Sequence, residues 1–335
     1  MPGITDHSDR LPGSDQVAAA WQLGRWRALE HLAAGRNNDS FHLITDGGEY
    51  VLRRLRQGKS TQELEFELEL IRRLAASGLP MAQVVRAGDG AEWHEFAGRL
   101  WTVSRFVPSD PTLKTAELAG LAGDVLARFH LAVAEFSPAF PVPDEQDRLA
   151  LAAEILGRFY DLDVSPALQS QIERSRRLIL QAIPERNCRR RALTAGIIHG
   201  GCRVSSLLLR HGRVAALLDM DSARHGPLPE DLAIALASFA KRRAGDAAMD
   251  ASRAEAFCRG YRARRPIGIA ETEAVPVYLA QALIYAHVKA LERVVLGADD
   301  RRDDIARGAW RLAAAEHALD RPGEVVLLVQ PTTAE

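Results

Sequence analysis

Hydrophobic and polar residues follow different periods in different parts of the chain. Apolar residues spaced three and four positions apart predict a helix over Gln16 to Glu30. The period then changes to two, which is typical of a half-buried strand. The polar cluster Asp46-Gly47-Gly48 interrupts this second pattern as a turn would. We therefore expect a hairpin with strands over Phe41 to Thr45 and Glu49 to Leu55.

A second helix is predicted over Ser60 to Ala76, where apolar residues again recur at three and four positions. Ser60 followed by Glu63 is a helix start signal, and Gly78 is a stop signal. Two more strands are predicted over Ala82 to Ala87 and Arg99 to Phe106, separated by an Asp-Gly turn. This part of the chain is therefore predicted to be a small sheet that carries one helix.

The chain becomes mostly helical after Pro108, where we place the boundary between two lobes. The predicted helices are Ala116 to Phe136, Asp147 to Asp161, Pro166 to Ala182, Asp231 to Lys241, Ala251 to Arg262, Thr272 to Leu296 and Asp303 to Leu319. Three short apolar runs interrupt them and predict small strands around a loop. These runs are Ala195 to His199, Ser206 to Leu209 and Val214 to Leu218.

Composition and charge narrow the classes of partner. A chain of 335 residues that is 47% hydrophobic can bury a large core. The 43 Lys and Arg residues nearly balance the 44 Asp and Glu residues, so no global field favours nucleic acid or an anionic membrane. The three cysteines form no metal or disulfide pattern, and no secretory or membrane-spanning segment is recognisable. We expect a cytoplasmic protein whose partner is a small molecule or a peptide.

Two carboxylates, Asp219 and Asp221, follow one of the short apolar runs. Such a pair suits a magnesium-nucleotide site, because the metal must bridge phosphate oxygens and prefers hard oxygen ligands. The alternative is that each carboxylate only caps a turn or a helix. The surrounding residues favour the metal site.

The segment IIHGGCRVSSLLLRHGRVAALLDMDSARHGPLPEDLA contains these carboxylates and resembles the catalytic core of the aminoglycoside phosphotransferase family, which includes homoserine kinase relatives. The family pattern is HGDxxxxN, a short hairpin, an IDF or IDW triplet, then GP or GD, then DLA. His199-Gly200, Leu218-Asp219-Met220, Gly226-Pro227 and Asp231-Leu232-Ala233 match it in order and spacing. The resemblance implies an α+β, bilobal protein-kinase-like fold, with a small antiparallel N-terminal sheet, one main helix and a larger, mostly helical C-terminal lobe.

The same resemblance implies a domain organisation. Residues 1–15 would be a flexible N-terminal tail, and residues 16–107 a nucleotide-binding lobe. Residues 108–320 would be the helical lobe with the catalytic loop, and residues 321–335 a C-terminal tail.

Nucleotide-binding positions follow from the segment GRNNDSFHLITDGGEYVLRRLR, which resembles the nucleotide-loop hairpin of the family. Gly35, Asn37 and Ser40 would cover the phosphates. Arg53 would offset charge on the α and β phosphates, and Glu67 on the following helix would orient that cation. Both could instead be solvated surface charges. The backbone around Ser104 and Phe106 would form the hinge that binds adenine.

The catalytic loop departs from the family pattern at two positions. Gly201 stands where the family has its catalytic Asp, and Ser206 stands where it has a metal-binding Asn. Asp219 would remain as the metal ligand with Ser206 as a weaker one, Asp221 is a candidate substitute base, and His199 would structure the loop. The implied function is ATP-dependent and Mg²⁺-dependent phosphoryl transfer to a hydroxyl of a small molecule or peptide. The alternative is a pseudokinase that binds nucleotide, peptide or a partner biosynthetic enzyme without phosphoryl transfer.

Overall fold

An antiparallel sheet and a group of packed helices form two separate units of the protein. The computed structural model describes residues 14–32, 38–160, 162–242, 247–296 and 308–330. The sheet unit comprises Met1–Pro111, Ser137–Pro141 and Leu207–Asp221. The helical unit comprises Thr112–Phe136, Val142–Ser206 and Ser222–Glu335. The stretch from Leu207 to Asp221 thus groups with the sheet, although it lies within the range predicted for the helical lobe.

The sheet unit contains a five-stranded antiparallel sheet in the order β1-β2-β3-β5-β4. Its strands are β1 (Trp26–Leu32), β2 (Asp39–Thr45), β3 (Gly48–Arg54), β4 (Trp93–Phe96) and β5 (Arg99–Arg105). Helix α1 (Ser14–Trp21) precedes them, and α2 (Thr61–Ala76) follows β3. Leu43, Leu52 and Trp101 are fully buried in the core of this unit, because alternate strand residues face the same side. The predicted hairpin and the predicted second helix are confirmed.

The first predicted helix, Gln16 to Glu30, is wrong beyond Trp21. The backbone takes positive φ at Gln22 and at Gly24, with φ values of 51° and 88°. An α-helix cannot continue through such angles, so the chain turns and enters β1 at Trp26.

The predicted strand over Ala82 to Ala87 is also wrong, since the chain makes only isolated contacts there. Val85 N donates to Val103 O at 2.8 Å, and Val84 forms a single bridge with Ser104. The other end of the same β5 edge is occupied by β4. Too little of the edge is therefore left for another full strand.

A second hairpin belongs to the sheet unit and carries the paired carboxylates at its end. It consists of β7 (Leu207–Arg210) and β8 (Arg213–Leu217). Leu217 N donates to Pro80 O at 2.7 Å, which attaches the hairpin to the segment that follows α2. This attachment places the residues after Leu217 beside the sheet.

The helical unit contains eight helices within the described part of the chain. They are α3 (Ala116–Val133), α4 (Arg148–Gly157), α5 (Pro166–Arg190), α6 (Leu228–Phe239), α7 (Ala251–Arg262), α8 (Ile269–Val295), α9 (Trp310–Asp320) and α10 (Pro322–Val329). A short ladder of β6 (Ala195–Ile198) and β9 (Arg224–Pro227) accompanies them. Helix α8 is long and apolar enough to span a membrane, but 72% of its most apolar window is buried inside the protein, as in a core helix.

The helix ends differ from the predicted ones where capping or packing decides them. Asp147, predicted as the first residue of its helix, is the N-cap of α4. Helix α5 continues beyond Ala182 to Arg190 with Pro184 inside it. Residues 322–329, predicted as part of a tail, form α10 and bury Val325 and Val329. The predicted helix start at Asp303, the N-terminal segment 1–13 and residues 331–335 lie outside the described residues.

Candidate active site

Arg53 and Glu67 form an ion pair in the sheet unit. Arg53 lies on β3 opposite Ser40 of β2, and its guanidinium donates to Glu67 of α2. Only 2% of the Glu67 side chain is exposed, so neither the pair nor its carboxylate is a solvated surface charge. The other Glu67 oxygen lies 3.2 Å from Lys59 Nζ, and 5% of that lysine side chain is exposed. One buried carboxylate therefore serves two cations.

The pKa values of this pair favour both charged forms. Burial by itself would raise the pKa of Glu67, but Arg53 and Lys59 hold that pKa below its usual range. Burial would lower the pKa of Arg53, but the charges of Glu67, Asp221 and Asp219 raise it instead. Arg53 is therefore a fixed cation, as a phosphate site requires.

Asp221 contacts the same cation from the hairpin that ends at Leu217. Its Oδ2 lies 3.6 Å from Arg53 Nη2 and accepts a hydrogen bond from Asn38 Nδ2 at 3.0 Å. Asn38 Oδ1 in turn accepts from Arg56 N at 2.8 Å. The Asp221 carboxylate is therefore already engaged by Arg53 and Asn38. This engagement does not favour its predicted role as a substitute base.

Asp219 follows β8 in a left-handed backbone conformation, with φ of 67°. Its side chain is exposed, and its charge is close enough to Arg53 to contribute to the raised pKa of that residue. Magnesium is usually held by one or two carboxylates together with substrate phosphates. Within the described part of the chain no three-residue metal cluster occurs. An exposed carboxylate whose charge acts on a fixed cation fits a metal that arrives with a phosphate ligand.

Within the helical unit, Asp231 of α6 accepts hydrogen bonds from the backbone of the loop that follows β6. His199 N and Gly200 N donate to the two Asp231 oxygens at 2.6 and 2.8 Å. His130 Nε2 lies 3.1 Å from Asp231 Oδ2 and shares a hydrogen bond with it. Burial would raise the pKa of Asp231, but these hydrogen bonds and the nearby histidines keep it below its usual range. His199 is fully buried and its backbone holds the loop.

Gly200 is required by the loop conformation. Its φ is 72°, and a Cβ there would lie 2.1 Å from Arg224 Nη1 and 2.2 Å from Ser222 O. No side chain can be added without displacing the backbone of the neighbouring segment.

A hydrogen bond links Gly201 and Ser206 within the loop. The buried Ser206 hydroxyl donates to Gly201 O at 3.1 Å. A Cβ at Gly201 would meet Ser222 Oγ at 3.3 Å, so a Cβ atom requires only a small shift of that side chain. The position predicted to have lost its acid can therefore admit a Cβ atom.

Two buried arginines support this loop, and the sequence pattern gave no signal for them. Arg148 Nη2 donates to Gly200 O at 2.6 Å, and its Nε lies 3.2 Å from Glu230 Oε1. Arg224 Nη2 donates to the same Glu230 oxygen at 2.6 Å. Burial lowers the pKa of Arg148 to about 10 and raises the pKa of Glu230, although both arginines oppose the second effect.

The predicted hinge residues lie at the end of β5. Ser104 pairs with Val51 of β3, and Phe106 N donates to Glu49 O at 3.1 Å. The Phe106 ring stacks on His42, with 3.8 Å between ring centroids. Gly35 and Asn37, the other predicted phosphate-loop residues, lie outside the described residues. Their place relative to Ser40 therefore stays a prediction.

Comparison with known proteins gives consistent matches. The model of the phosphotransferase enzyme family matches residues 28–267. A homoserine kinase of Acidiphilium cryptum (strain JF-5) is 29% identical over 311 residues, covering 89% of this chain and 93% of that protein. A microcompartment-associated aminopropanol kinase superposes with a TM-score of 0.72 at 18% identity, over 95% of this chain and 99% of that one.

A second solved structure is an amicoumacin kinase, hAmiN, in complex with AMP-PNP, Ca²⁺ and Ami. It superposes with a TM-score of 0.69 at 16% identity and covers 92% of each chain. The solved structures confirm the predicted α+β, protein-kinase-like fold.

Proposed function

Because the chain belongs to the phosphotransferase enzyme family, we propose that it binds ATP through Arg53 and transfers a phosphoryl group to a hydroxyl of a small molecule. The observation that carries this proposal is the buried Lys59–Glu67–Arg53 network, in which Glu67 fixes the direction of the Arg53 guanidinium. A cation held in this way can meet phosphate oxygens without first ordering its own side chain.

Each residue of the cluster has a separate task in this proposal. Arg53 binds and neutralises phosphate oxygens, while Glu67 and Lys59 position Arg53. Asp219 is the residue that would hold Mg²⁺, and a bound divalent ion would offset charge on the phosphates during transfer. Asn38 orients Asp221 beside the cation.

The acceptor is proposed to be an alcohol, and its class is supported by the relatives. Those proteins carry names that refer to homoserine, aminopropanol and amicoumacin, all small molecules. Cys188, Cys202 and Cys258 form no disulfide with one another, which is in keeping with a reducing cytoplasm as the proposed location.

A second candidate function is nucleotide binding without phosphoryl transfer. It is favoured by Gly201, which offers no side chain to orient an acceptor hydroxyl, and by Ser206, whose hydroxyl proton is bonded within the loop. A positioned acid or base contributes about a hundredfold to ten-thousandfold in rate. We therefore expect slow turnover in the first case and none in the second.

Thermal unfolding with and without nucleotide tests the proposal. ADP and ATP at about a hundred times their dissociation constants should stabilise the protein by about 2.7 kcal/mol, and more with Mg²⁺ than with EDTA. Release of ADP from ATP that rises on addition of an alcohol acceptor then separates transfer from binding alone. The absence of stabilisation by any nucleotide would contradict both candidate functions.

A further inference from the structure

A cavity of about 340 Å³ lies within the helical unit, apart from the loop and cluster described above. Its walls are mainly apolar and come from the C-terminal end of α6 and from α8, α9 and α10. Its lining includes the cations Lys241 and Arg242 and the apolar residues Ala237, Leu279, Leu283, Trp310, Val325 and Leu328. Cavities of this size and composition are typical of sites for small organic ligands.

Lys241 brings positive charge to this apolar cavity. Lys241, which follows α6 and lines the cavity, has its Nζ 4.2 Å from the centroid of the Trp310 ring. Burial lowers the pKa of Lys241, and the charges of Lys114 and Arg311 lower it further. Among the described residues, no carboxylate forms an ion pair with Lys241 or Lys114. Within the described ranges, like charges therefore approach one another at this wall, which favours an anionic group in the cavity.

Glu324, an acidic residue in the cavity wall, does not form an ion pair with Lys241 or Lys114. Glu324 Oε2 lies 3.1 Å from His317 Nε2, and its Oε1 lies 3.2 Å from Arg321 Nη1. The Glu324 carboxylate is therefore engaged with two other groups and forms no ion pair with Lys241.

The cavity begins at the same helical turn that holds the catalytic loop. Val204 N, in the loop that contains Gly201, donates to Ser238 Oγ at 3.1 Å. Ser238 lies directly after Ala237, which lines the cavity, and one turn before Lys241. Ser238 therefore connects the helix that lines the cavity to the loop on which the family pattern places the acceptor.

We infer that this cavity binds the phosphoryl acceptor, and that the acceptor is an alcohol with an anionic group for Lys241 and an apolar body for the wall formed by α8, α9 and α10. This inference rests on the proposed function for the identity of the ligand as acceptor. The chemical class follows from the cavity itself. The mainly apolar walls favour a more hydrophobic compound than homoserine, a small polar amino acid.

The chemical class can be tested with two fluorescent probes. The sulfonate 8-anilinonaphthalene-1-sulfonate combines an apolar body with an anion, and N-phenyl-1-naphthylamine is an uncharged analogue. Lys241→Gln should weaken binding of the sulfonate about tenfold and change binding of the amine less than twofold. Leu283→Phe, which fills the cavity, should weaken binding of both. Arg259→Gln, which removes a cation that is 70% exposed on α7, is the control and should change neither.

Unchanged binding of the sulfonate in Lys241→Gln, with an unfolding temperature equal to that of the wild type, would overturn the assignment of an anionic ligand. The role as acceptor site has its own test, because an acceptor must bind together with the nucleotide. Saturating Mg·ADP should leave a bound sulfonate in place, and competitive displacement would overturn the acceptor assignment. If ADP itself does not bind, the proposed function fails, whereas the comparison of Lys241→Gln with the wild type still decides the chemistry of the cavity.

Discussion

Asp221 and Arg53 lie in direct electrostatic contact, with 3.6 Å between Asp221 Oδ2 and Arg53 Nη2. The carboxylate thus lies beside the cation that we propose binds the phosphate oxygens of a nucleotide. Glu67 fixes the same guanidinium from the other side. A nucleotide that binds Arg53 must therefore compete with Asp221 or share the cation with it.

Replacement of this carboxylate should strengthen ADP binding without metal and leave it nearly unchanged with metal. In EDTA we expect Asp221→Asn to bind ADP about threefold to tenfold more tightly, because one negative charge beside Arg53 is removed. With Mg²⁺ the gain should disappear, since a carboxylate close to Asp219 also attracts the metal. Titration calorimetry measures the dissociation constant of ADP under both conditions. Glu95→Gln, which replaces an exposed carboxylate on β4, is the control. Weaker binding of ADP in EDTA would contradict competition between Asp221 and phosphate.

An acid restored at position 201 should raise turnover. Gly201→Asp places a carboxylate in the loop, and a small shift of the Ser222 side chain admits its Cβ atom. We expect the rate of ADP release to rise about a hundredfold or more, with little change in the dissociation constant of ADP. Gly201→Ala tests whether the loop tolerates any Cβ and should give no rise. Equal rates for wild type and Gly201→Asp would show that the missing acid does not limit the reaction.

Gly200→Ala should unfold the loop or strongly destabilise the protein. The positive φ costs about 1 kcal/mol for alanine, and the contacts of 2.1 and 2.2 Å with Arg224 and Ser222 add more. Gly212→Ala separates the two effects, because Gly212 also has a positive φ, of 70°, but has open space around it. Urea denaturation should show a loss of about 1 kcal/mol for Gly212→Ala and at least twice that for Gly200→Ala. Equal losses would contradict the close packing of the loop.

His287 should make stability depend on pH. Burial lowers its pKa from 6.5 to about 4, and the charges of Arg311 and Arg174 contribute to this shift, although the Gly308 backbone opposes it. The unfolded chain therefore binds a proton in this range that the folded chain does not. The contribution of His287 to the free energy of unfolding should be fully present above about pH 6.5. It should fall by up to about 3 kcal/mol as the pH decreases towards 4.

Denaturation of wild type and His287→Leu between pH 7.5 and 4 measures this contribution, because the carboxylates titrate in both proteins. The difference in unfolding free energy between the two should change with pH in favour of the variant at low pH. His225→Leu, which replaces an exposed histidine, is the matched control. A difference between wild type and His287→Leu that does not vary with pH would contradict the buried neutral state.

Local sequence signals predicted the elements whose ends are set by nearby residues. The turn at Asp46-Gly47-Gly48 fixed the β2–β3 hairpin, and the capping box of Ser60 and Glu63 fixed the start of α2. The helix predicted over Gln16 to Glu30 failed because its apolar spacing continued past Gly24, where the backbone turns. The strand predicted over Ala82 to Ala87 failed because the edge it needed is shared with β4.

Only those residues of the candidate site that belong to the family motifs were predicted from the sequence. Arg53, Asp219 and Asp221 could be selected from their motifs, and they do share one unit. Asn38 and Lys59 were missed because their roles depend on contacts with Asp221 and Glu67 that no local spacing indicates. The pairing of Arg148 with Glu230 was missed for the same reason, since 82 positions separate them (230 − 148).

Titration of ADP into Arg53→Met tests most directly whether Arg53 forms the phosphate site. Arg54→Met is the matched control, because Arg54 is the next residue of β3 and pairs with Asp39 instead. With Mg²⁺ present, Arg53→Met should weaken ADP binding about thirtyfold or more, and Arg54→Met less than threefold. An Arg53→Met protein that is folded and binds ADP as tightly as the wild type would contradict the account.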